Sequence, residues 1–531
     1  MQETVGVAPL NRRLQIRAMR EQAPTLAELS VSTGSALLLV LSFPDFDLWP
    51  LAWFGLVPFL MLTVRPSGAS RSFFLGWLWG IVFFYGTCWW LTYPMIHYGQ
   101  ISSWFAYPLL ILPVAVVAVF PGLFGIALNS LVSRFGTTAL FFGPIVWVSL
   151  EWARYMITGQ VWNAIGYSQA FKPELVQTAR WGGVYAPSFL ILTMNVAIAF
   201  FLFRRTARAL WSSLAVSIAA VIVITVAAGT FRATPESKTI MTVVAVQPNV
   251  PMQGADDPAR MKELIDRHLQ LSAQGLNNQA NHGATPSLLI WPESPMNFSY
   301  TRDNQLRTIV ADLAQSKRTY VLLNSLEPAP NGGDYNSAIL VNEKGEIAAQ
   351  YDKIRLMPFG EYVPLPRWLP GASSVRAIVG EFTPGSSYPL MPLGDLRAGV
   401  FICIEAAHPL IARTFTNEGA EVLINISNDG YLGPTPVMRQ HLSNAIFRAV
   451  ENNRPLIRVT NSGISALIQP GGQVLDLTPS FQPAVRIWHS GDQANGYTFY
   501  TRHGDVFAYL CTLITLGVIA TSFLRKRLGA E

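Results

Sequence analysis

Seven apolar runs crowd the first 235 residues of this chain, at roughly 29–45, 49–65, 73–96, 104–132, 137–153, 187–204 and 210–231, and an eighth lies at 506–524. So many runs of this length do not fit inside a soluble core. A helix of about 20 apolar residues crosses about 30 Å of hydrocarbon, and in lipid only helices or closed barrels satisfy their own backbone. The chain must therefore fold around a helical membrane domain. Its charge content agrees: 13% of residues are charged, 50% are hydrophobic and the mean hydropathy is +0.30, against about 25% charged in soluble domains. The first two runs are short and meet at a Pro44–Asp47 turn, which predicts a tight hairpin. Pro108, Pro113 and Pro121 predict a kinked or broken fourth helix.

Eight spans put both termini on one side. That side collects Arg12, Arg13, Arg17, Arg20, Arg65, Arg71, Arg134, Arg204, Arg205, Arg208, Arg525, Lys526 and Arg527, thirteen in all, whereas the short loops opposite hold three, Arg154, Lys172 and Arg180. Positive loops stay inside, so both termini are expected in the cytoplasm and residues 235–503 outside. In a bacterium that is the periplasmic face of the inner membrane. The polar first 28 residues precede a run without a small-residue cleavage site, which predicts an uncleaved anchor. The net charge of +6 follows from this topology; no basic stripe interleaved with aromatics points to nucleic acid. Three cysteines exclude a disulfide framework, and only Cys403 lies in a region of soluble composition.

The expected organisation is a cytoplasmic tail over 1–28, a seven-helix membrane domain over 29–234, an external domain over 235–503, and a last span with its tail over 504–531. Between 238 and 503 short strands alternate with helices and a few hairpins, which argues for a layered α/β domain. Two connections stay open in function. The external loop 154–186, with Trp162, Tyr167, Trp181 and Tyr185, reads either as an interfacial aromatic belt or as the mouth of a lipid site. Glu151 and Arg154 beside it read as a structural ion pair or as holders of a headgroup. The apolar, proline-rich stretch 364–378 reads as a lid, a segment dipping into the bilayer, or a plain surface loop.

One stretch of the α/β region asks for chemistry. Val400-Phe401-Ile402-Cys403-Ile404-Glu405 is an apolar strand that delivers one cysteine to a sharp exit, and His408-Pro409 opens a helix. A nucleophile needs rigid backbone behind it and amide N–H groups of the next turn beside it. The plainer reading is a buried small hydrophobe. Two other strand ends carry pointed residues: Glu293 in Trp291-Pro292-Glu293 and Lys353 in Tyr351-Asp352-Lys353. Alone, Glu293 reads as a helix cap and Lys353 as a solvated charge. Loops at strand ends converge, however. A thiol needs a base or a cation to react, and an ammonium steadies both thiolate and oxyanion. Together the three read as one site. His408 and His441 have no ligand spacing, so no metal is expected.

The order Glu…Lys…Cys on such strands resembles the nitrilase superfamily. A nitrilase-like domain held between seven N-terminal spans and one C-terminal span resembles the apolipoprotein N-acyltransferase family, whose members catalyse the last step of bacterial lipoprotein maturation. The match runs nearly end to end. It includes Val246-Gln247-Pro248-Asn249, Trp291-Pro292-Glu293, Pro358-Phe359-Gly360-Glu361-Tyr362-Val363-Pro364, Cys403-Ile404-Glu405, Asn425-Ile426-Ser427-Asn428-Asp429, Gln440-His441-Leu442 and Arg448-Ala449-Val450-Glu451-Asn452. The resemblance implies an α–β–β–α sandwich with Glu293 as general base, Lys353 as oxyanion stabiliser and Cys403 as nucleophile. It implies that Glu361 orients Lys353 or the incoming amine, that Glu405 is a further functional acid, and that the Ile404 N–H completes the oxyanion hole. Gly159, Trp162, Tyr185 and Glu451 match positions tied to activity or substrate contact.

The reaction so implied is a ping-pong acyl transfer without a cofactor. The donor is phosphatidylethanolamine or phosphatidylglycerol, the acceptor a diacylglyceryl-apolipoprotein, and the enzyme a monomer. This chain departs from the family pattern at Ile404, where an aromatic is usual, at Arg355, where a histidine is usual, and at Gly430-Tyr431-Leu432; no tryptophan closely follows Val250-Pro251. These leave the trio intact and bear on the pocket. The rival readings are a membrane-tethered amidase or nitrilase, an acyltransferase paralogue with another acceptor, and a scaffold with a dead nitrilase domain.

Overall fold

Four helices are long and apolar enough to cross a bilayer in the computed structural model: Ala69–His97, Ser103–Phe135, Tyr185–Arg204 and Ala207–Gly229. It describes residues 23–65, 68–230, 239–253, 257–279, 287–330, 332–364, 368, 382–491 and 496–528. The polar tail and its arginines, the junction at 235 and most of the 364–378 loop lie outside these residues. Shorter apolar helical stretches are Leu26–Val40, Trp49–Thr63 and Val506–Ser522. Helix length therefore supports four crossings outright, and the count of eight rests on the sequence.

Local chemistry explains where the runs break. The second run is not one helix: a 3-10 turn, Trp49–Trp53, precedes the short helix Val57–Thr63, with Pro50, Gly55 and Pro58 interrupting the ladder. The fourth run breaks at Ala118, between Ser103–Val117 and Val119–Phe135. Pro121 falls in the first turn after the break, where its missing N–H costs nothing. The fifth begins as a 3-10 turn, Thr137–Phe142, and continues as Gly143–Thr158. Helices meet closely where side chains are small: a Cβ on Gly76 would stand 2.2 Å from the Pro121 carbonyl oxygen. Beside this contact Trp79 is buried, stacked on Phe59 and Phe83 at 5.8 and 5.2 Å between centroids.

The α/β region forms two six-stranded sheets. The first runs β12-β1-β2-β3-β4-β5, with β1 Thr239–Gln247, β2 Ser287–Ile290, β3 Tyr320–Pro328, β4 Asp334–Val341, β5 Ile347–Asp352 and β12 Ala484–Gly491. The second runs β11-β10-β9-β8-β7-β6, with β6 Met391–Leu393, β7 Leu396–Ile402, β8 Val422–Ser427, β9 Leu456–Thr460, β10 Ala466–Ile468 and β11 Val474–Leu475. Strands β1, β2 and β3 are parallel, as are β7, β8 and β9. Alternation along β1 shows the layering. Met241, Val243 and Ala245 join the core between the sheets, while Val244 and Val246 pack outward in the cluster that includes Leu276 and Val310 of the outer helices. Helices Pro258–Gln279 and Asn304–Lys317 cover the first sheet, and Pro409–Asn417 and Val437–Asn452 the second. This is the expected four-layer sandwich.

Helix Val437–Asn452 is also the seam with the membrane domain. It is buried along all but one of its positions, Arg439, although its face toward the membrane domain is polar. The Gln440 amide oxygen receives Trp90 Nε1 at 3.1 Å and Trp162 Nε1 at 3.0 Å, and its Nε2 donates to the Thr87 carbonyl at 2.9 Å. Glu451 Oε1 accepts the Val184 N–H at 3.1 Å and Arg448 Nη2 at 2.7 Å. The 154–186 connection divides: Trp181 is exposed, whereas its middle is enclosed. Residues 161–170 are all buried against this seam, so Trp162 and Tyr167 form neither a surface belt nor an open mouth. Glu151 and Arg154 hold that loop by its backbone: Glu151 Oε1 accepts the Ile165 N–H at 2.9 Å, and Arg154 Nη1 donates to the Trp162 carbonyl at 2.8 Å.

Candidate active site

The nucleophile candidate sits at a strained corner. Strand β7 ends at Ile402, Cys403 takes φ +52°, and a 3-10 turn runs Cys403–Ala407. A left-handed conformation costs a side chain about 1–2 kcal/mol, so the surroundings must hold it. His441 Nε2 lies 3.0 Å from the Cys403 carbonyl oxygen and Asn425 Nδ2 3.4 Å from it, both placed to donate. Glu405 Oε2 accepts the Ile402 N–H at 2.7 Å from the other side. A strained strand-to-helix turn lifts a nucleophile out of the sheet.

Lys353 follows β5 and is only 1% exposed. Its Nζ donates to Glu361 Oε1 at 2.8 Å and to Glu293 Oε1 at 3.3 Å. Asn336 Nδ2 donates to the same two oxygens, at 2.6 and 2.8 Å. Glu293 Oε2 accepts the Asn428 N–H at 2.9 Å, and Glu361 Oε2 the Met357 N–H at 2.7 Å. Three loops and strand β4 are thus tied around one ammonium. Burial alone would drive the lysine toward its neutral form, but Glu293 and Glu361, with Cys403, hold its pKa well above the ordinary value. Burial and then the Glu293 carboxylate push the Cys403 thiol up, with Lys353 opposing. The resting arrangement is a thiol beside an ammonium and a carboxylate. It can deliver a proton from sulfur to carboxylate and hold negative charge that develops on an attacked carbonyl.

The other expected residues fall into two groups. Glu361 stands with Lys353. Glu405 is buried in a different role: Oε1 accepts Tyr351 Oη at 2.7 Å and the N–H groups of Ile354 and Arg355 at 2.8 and 3.0 Å, while Oε2 holds Ile402. It fastens the lysine loop to the cysteine loop and touches neither the Lys353 ammonium nor the thiol by a hydrogen bond. The Ile404 side chain packs among Trp90, Trp162, Leu432, Val437 and Met438, which leaves its backbone the part available for chemistry. Trp162 reaches the site through helix Val437–Asn452, with its ring 5.6 Å from that of His441. Tyr185 and Glu451 are buried together at the seam and join the nucleophile loop only indirectly, through Arg448 Nη1 and the Ala406 carbonyl at 3.3 Å. Gly159 lines a separate cleft.

Three positions went unread. Asn336 sits inside hairpin strand β4 and was not singled out in the sequence. His441 and Asp429 were read only as parts of a motif. Asp429 Oδ1 lies 2.9 Å from His441 Nδ1, and its Oδ2 accepts Arg458 Nη2 at 2.7 Å. Burial raises the Asp429 pKa, but Arg458 and His441 overcome it and keep the carboxylate ionised. For Asp429 the available signal was its place just past the end of β8.

Comparison with known proteins completes the picture. Residues 35–197 match the apolipoprotein N-acyltransferase N-terminal domain, and residues 243–487 match the carbon-nitrogen hydrolase family. The chain is 33% identical over 504 residues to an apolipoprotein N-acyltransferase of Geobacter metallireducens, covering 93% of this chain and 94% of that one. It is 33% identical over 489 residues to one of Allorhizobium ampelinum, covering 87% and 89%. Among solved structures it is similar to an amidase of Nesterenkonia sp., at 19% identity and a TM-score of 0.37 over 52% of this chain and 98% of that chain.

Proposed function

Because the chain belongs to the apolipoprotein N-acyltransferase family, we infer that it moves an acyl chain from a membrane phospholipid to the N-terminal amine of diacylglyceryl-cysteine lipoproteins, through a thioester on Cys403. The chain is an acyltransferase with lipid and lipoprotein substrates. The observation that carries the chemistry is the buried Lys353 ammonium shared by Glu293 and Glu361 beside a cysteine held at φ +52°.

Glu293 takes the thiol proton as sulfur attacks the ester carbonyl. The tetrahedral oxyanion rests on Lys353 and the Ile404 N–H, both charged or polarised before the reaction begins. Collapse expels the lysophospholipid alkoxide, which receives the proton from Glu293. The acceptor amine then attacks the thioester, Glu293 removes its proton, and the expelled Cys403 thiolate is reprotonated. Glu361 and Asn336 keep Lys353 and Glu293 in register, and Glu405 holds the two loops together. Trp162, Tyr185, Glu451 and Gly159 act from the seam and the adjoining cleft.

Phosphatidylethanolamine or phosphatidylglycerol serves as donor, and the enzyme works as a monomer. The thirteen-to-three asymmetry of basic residues supports an inner-membrane protein with cytoplasmic termini and a periplasmic catalytic domain, divided as 1–28, 29–234, 235–503 and 504–531. Relatives named for acyl transfer over 93% of this chain weigh against a hydrolase or a scaffold. Incubation with phosphatidylglycerol and a diacylglyceryl-cysteine peptide tests the reading: equal amounts of triacylated peptide and lysophospholipid are expected. Free fatty acid in place of triacylated peptide would make it a hydrolase.

A further inference from the structure

A second space lies apart from the reacting groups. A cleft of about 260 Å³ opens where the end of Gly143–Thr158, the turn Phe499–His503 and the head of Val506–Leu528 meet the sandwich. Two guanidinium-bearing residues, Arg355 and Arg413, line it from the catalytic side. Arg413 is a fixed cation. Its Nε donates to the carbonyls of Tyr500 at 3.2 Å and Thr501 at 2.9 Å, and its Nη2 to that of Arg502 at 3.3 Å. Gly504, at φ +64°, makes room for it, since a Cβ there would stand 2.9 Å from Arg413 Cζ.

Arg355 is the opposite case. Its backbone N–H is held by Glu405, two residues beyond Lys353, but its side chain is exposed and makes no hydrogen bond or ion pair among the described residues. The carboxylate in the cleft, Asp505, accepts Tyr500 Oη at 3.0 Å. The rim is apolar, with Met156, Leu410 and Tyr509 all exposed. A fixed guanidinium, a free guanidinium and an apolar rim, between the end of one apolar helix and the head of another, suit a phosphate that carries acyl chains.

We propose that this cleft seats the phosphodiester of the acyl donor, with Arg355 closing on it, so that the headgroup phosphate as well as the ester selects the donor. This rests on the acyl-transfer reading above. The test uses full-length protein in mixed micelles with two donors of identical acyl esters, dipalmitoyl-phosphatidylglycerol and dipalmitoylglycerol, which lacks the phosphate. The rate of Cys403 thioester formation is followed against donor mole fraction.

The wild type should prefer the phosphate-bearing donor, and Arg355→Gln should cut that preference about tenfold, with Arg355→Lys restoring part of it. A preference unchanged by Arg355→Gln, while thioester still forms, overturns the headgroup site alone. No thioester from either donor in the wild type overturns the acyl-transfer reading and this site with it. Glycerol 3-phosphate in excess should inhibit weakly; inhibition as strong as that by the lipid would assign the cleft to soluble phosphate esters and overturn the lipid assignment.

Discussion

Lys353 keeps its charge at a depth where an isolated ammonium would lose its proton. Two carboxylates outweigh the burial, and one of them, Glu293, adds to the burial that pushes the neighbouring thiol up. Glu293 raises the Cys403 pKa while Lys353 lowers it. The sign of a prediction follows. In the wild type, site-resolved alkylation of Cys403 should rise with pH above the ordinary thiol range of about 8.5. Glu293→Gln removes a charge that opposes thiolate, so the alkylation profile should move to lower pH although acyl transfer is lost. A profile that stays in place or moves upward would contradict the electrostatic assignment. At this scale the placement of Glu293, Lys353 and Cys403 just past apolar strands was legible in sequence, whereas Glu361 entered only through the family resemblance. Glu405 was recognised as an acid but not as a clamp, because its partners are backbone amides from a loop fifty residues away. Asn336 was missed for a similar reason, since nothing local marks an asparagine that reaches two acids in other loops.

Helix Val437–Asn452 shows what periodicity tells and what it hides. Polar residues recur on most of its turns, a pattern that in a surface helix faces water. The membrane domain covers that face instead, with Gln440 receiving two indole N–H groups and His441 meeting the Cys403 carbonyl. Such pairing of a polar helix with membrane-domain tryptophans leaves no one-dimensional trace. His441 is thus a positioning residue for the nucleophile. In His441→Ala the left-handed Cys403 loses its best-placed donor, and single-turnover acylation should slow by up to about a hundredfold while the donor concentration for half-maximal rate stays close to wild type. His441→Gln, which can keep an N–H donor, should recover part of the rate. An acylation rate indifferent to both changes would remove the clamp from the account. The second apolar run was read as a short candidate span; its prolines and Gly55 divide it into a 3-10 turn and a short helix.

The whole molecule solves a threading problem, the insertion of a soluble sandwich between membrane helices. Strand β12 pairs antiparallel with β1, placing Gly491 opposite Thr239. The chain therefore leaves the sandwich beside the point where it entered, and the last apolar helix packs on Gly143–Thr158. The sequence supplied the order of the parts and the charge asymmetry; the pairing of distant strands that closes the domain was not written in any local pattern. A topology prediction belongs here. A reporter that is active only outside the cytoplasm should stay inactive when fused after Glu531 and become active when the chain is truncated and fused within 239–491. Activity at the C-terminal fusion would invert the proposed orientation. The central claim, acyl transfer through Cys403, is tested most directly by the intact mass of the full-length protein after incubation with phosphatidylethanolamine, wild type beside Cys403→Ala. The account predicts a hydroxylamine-labile gain of one acyl chain in the wild type alone, discharged on adding a diacylglyceryl-cysteine peptide; an adduct that persists in Cys403→Ala, or none in the wild type, would contradict it.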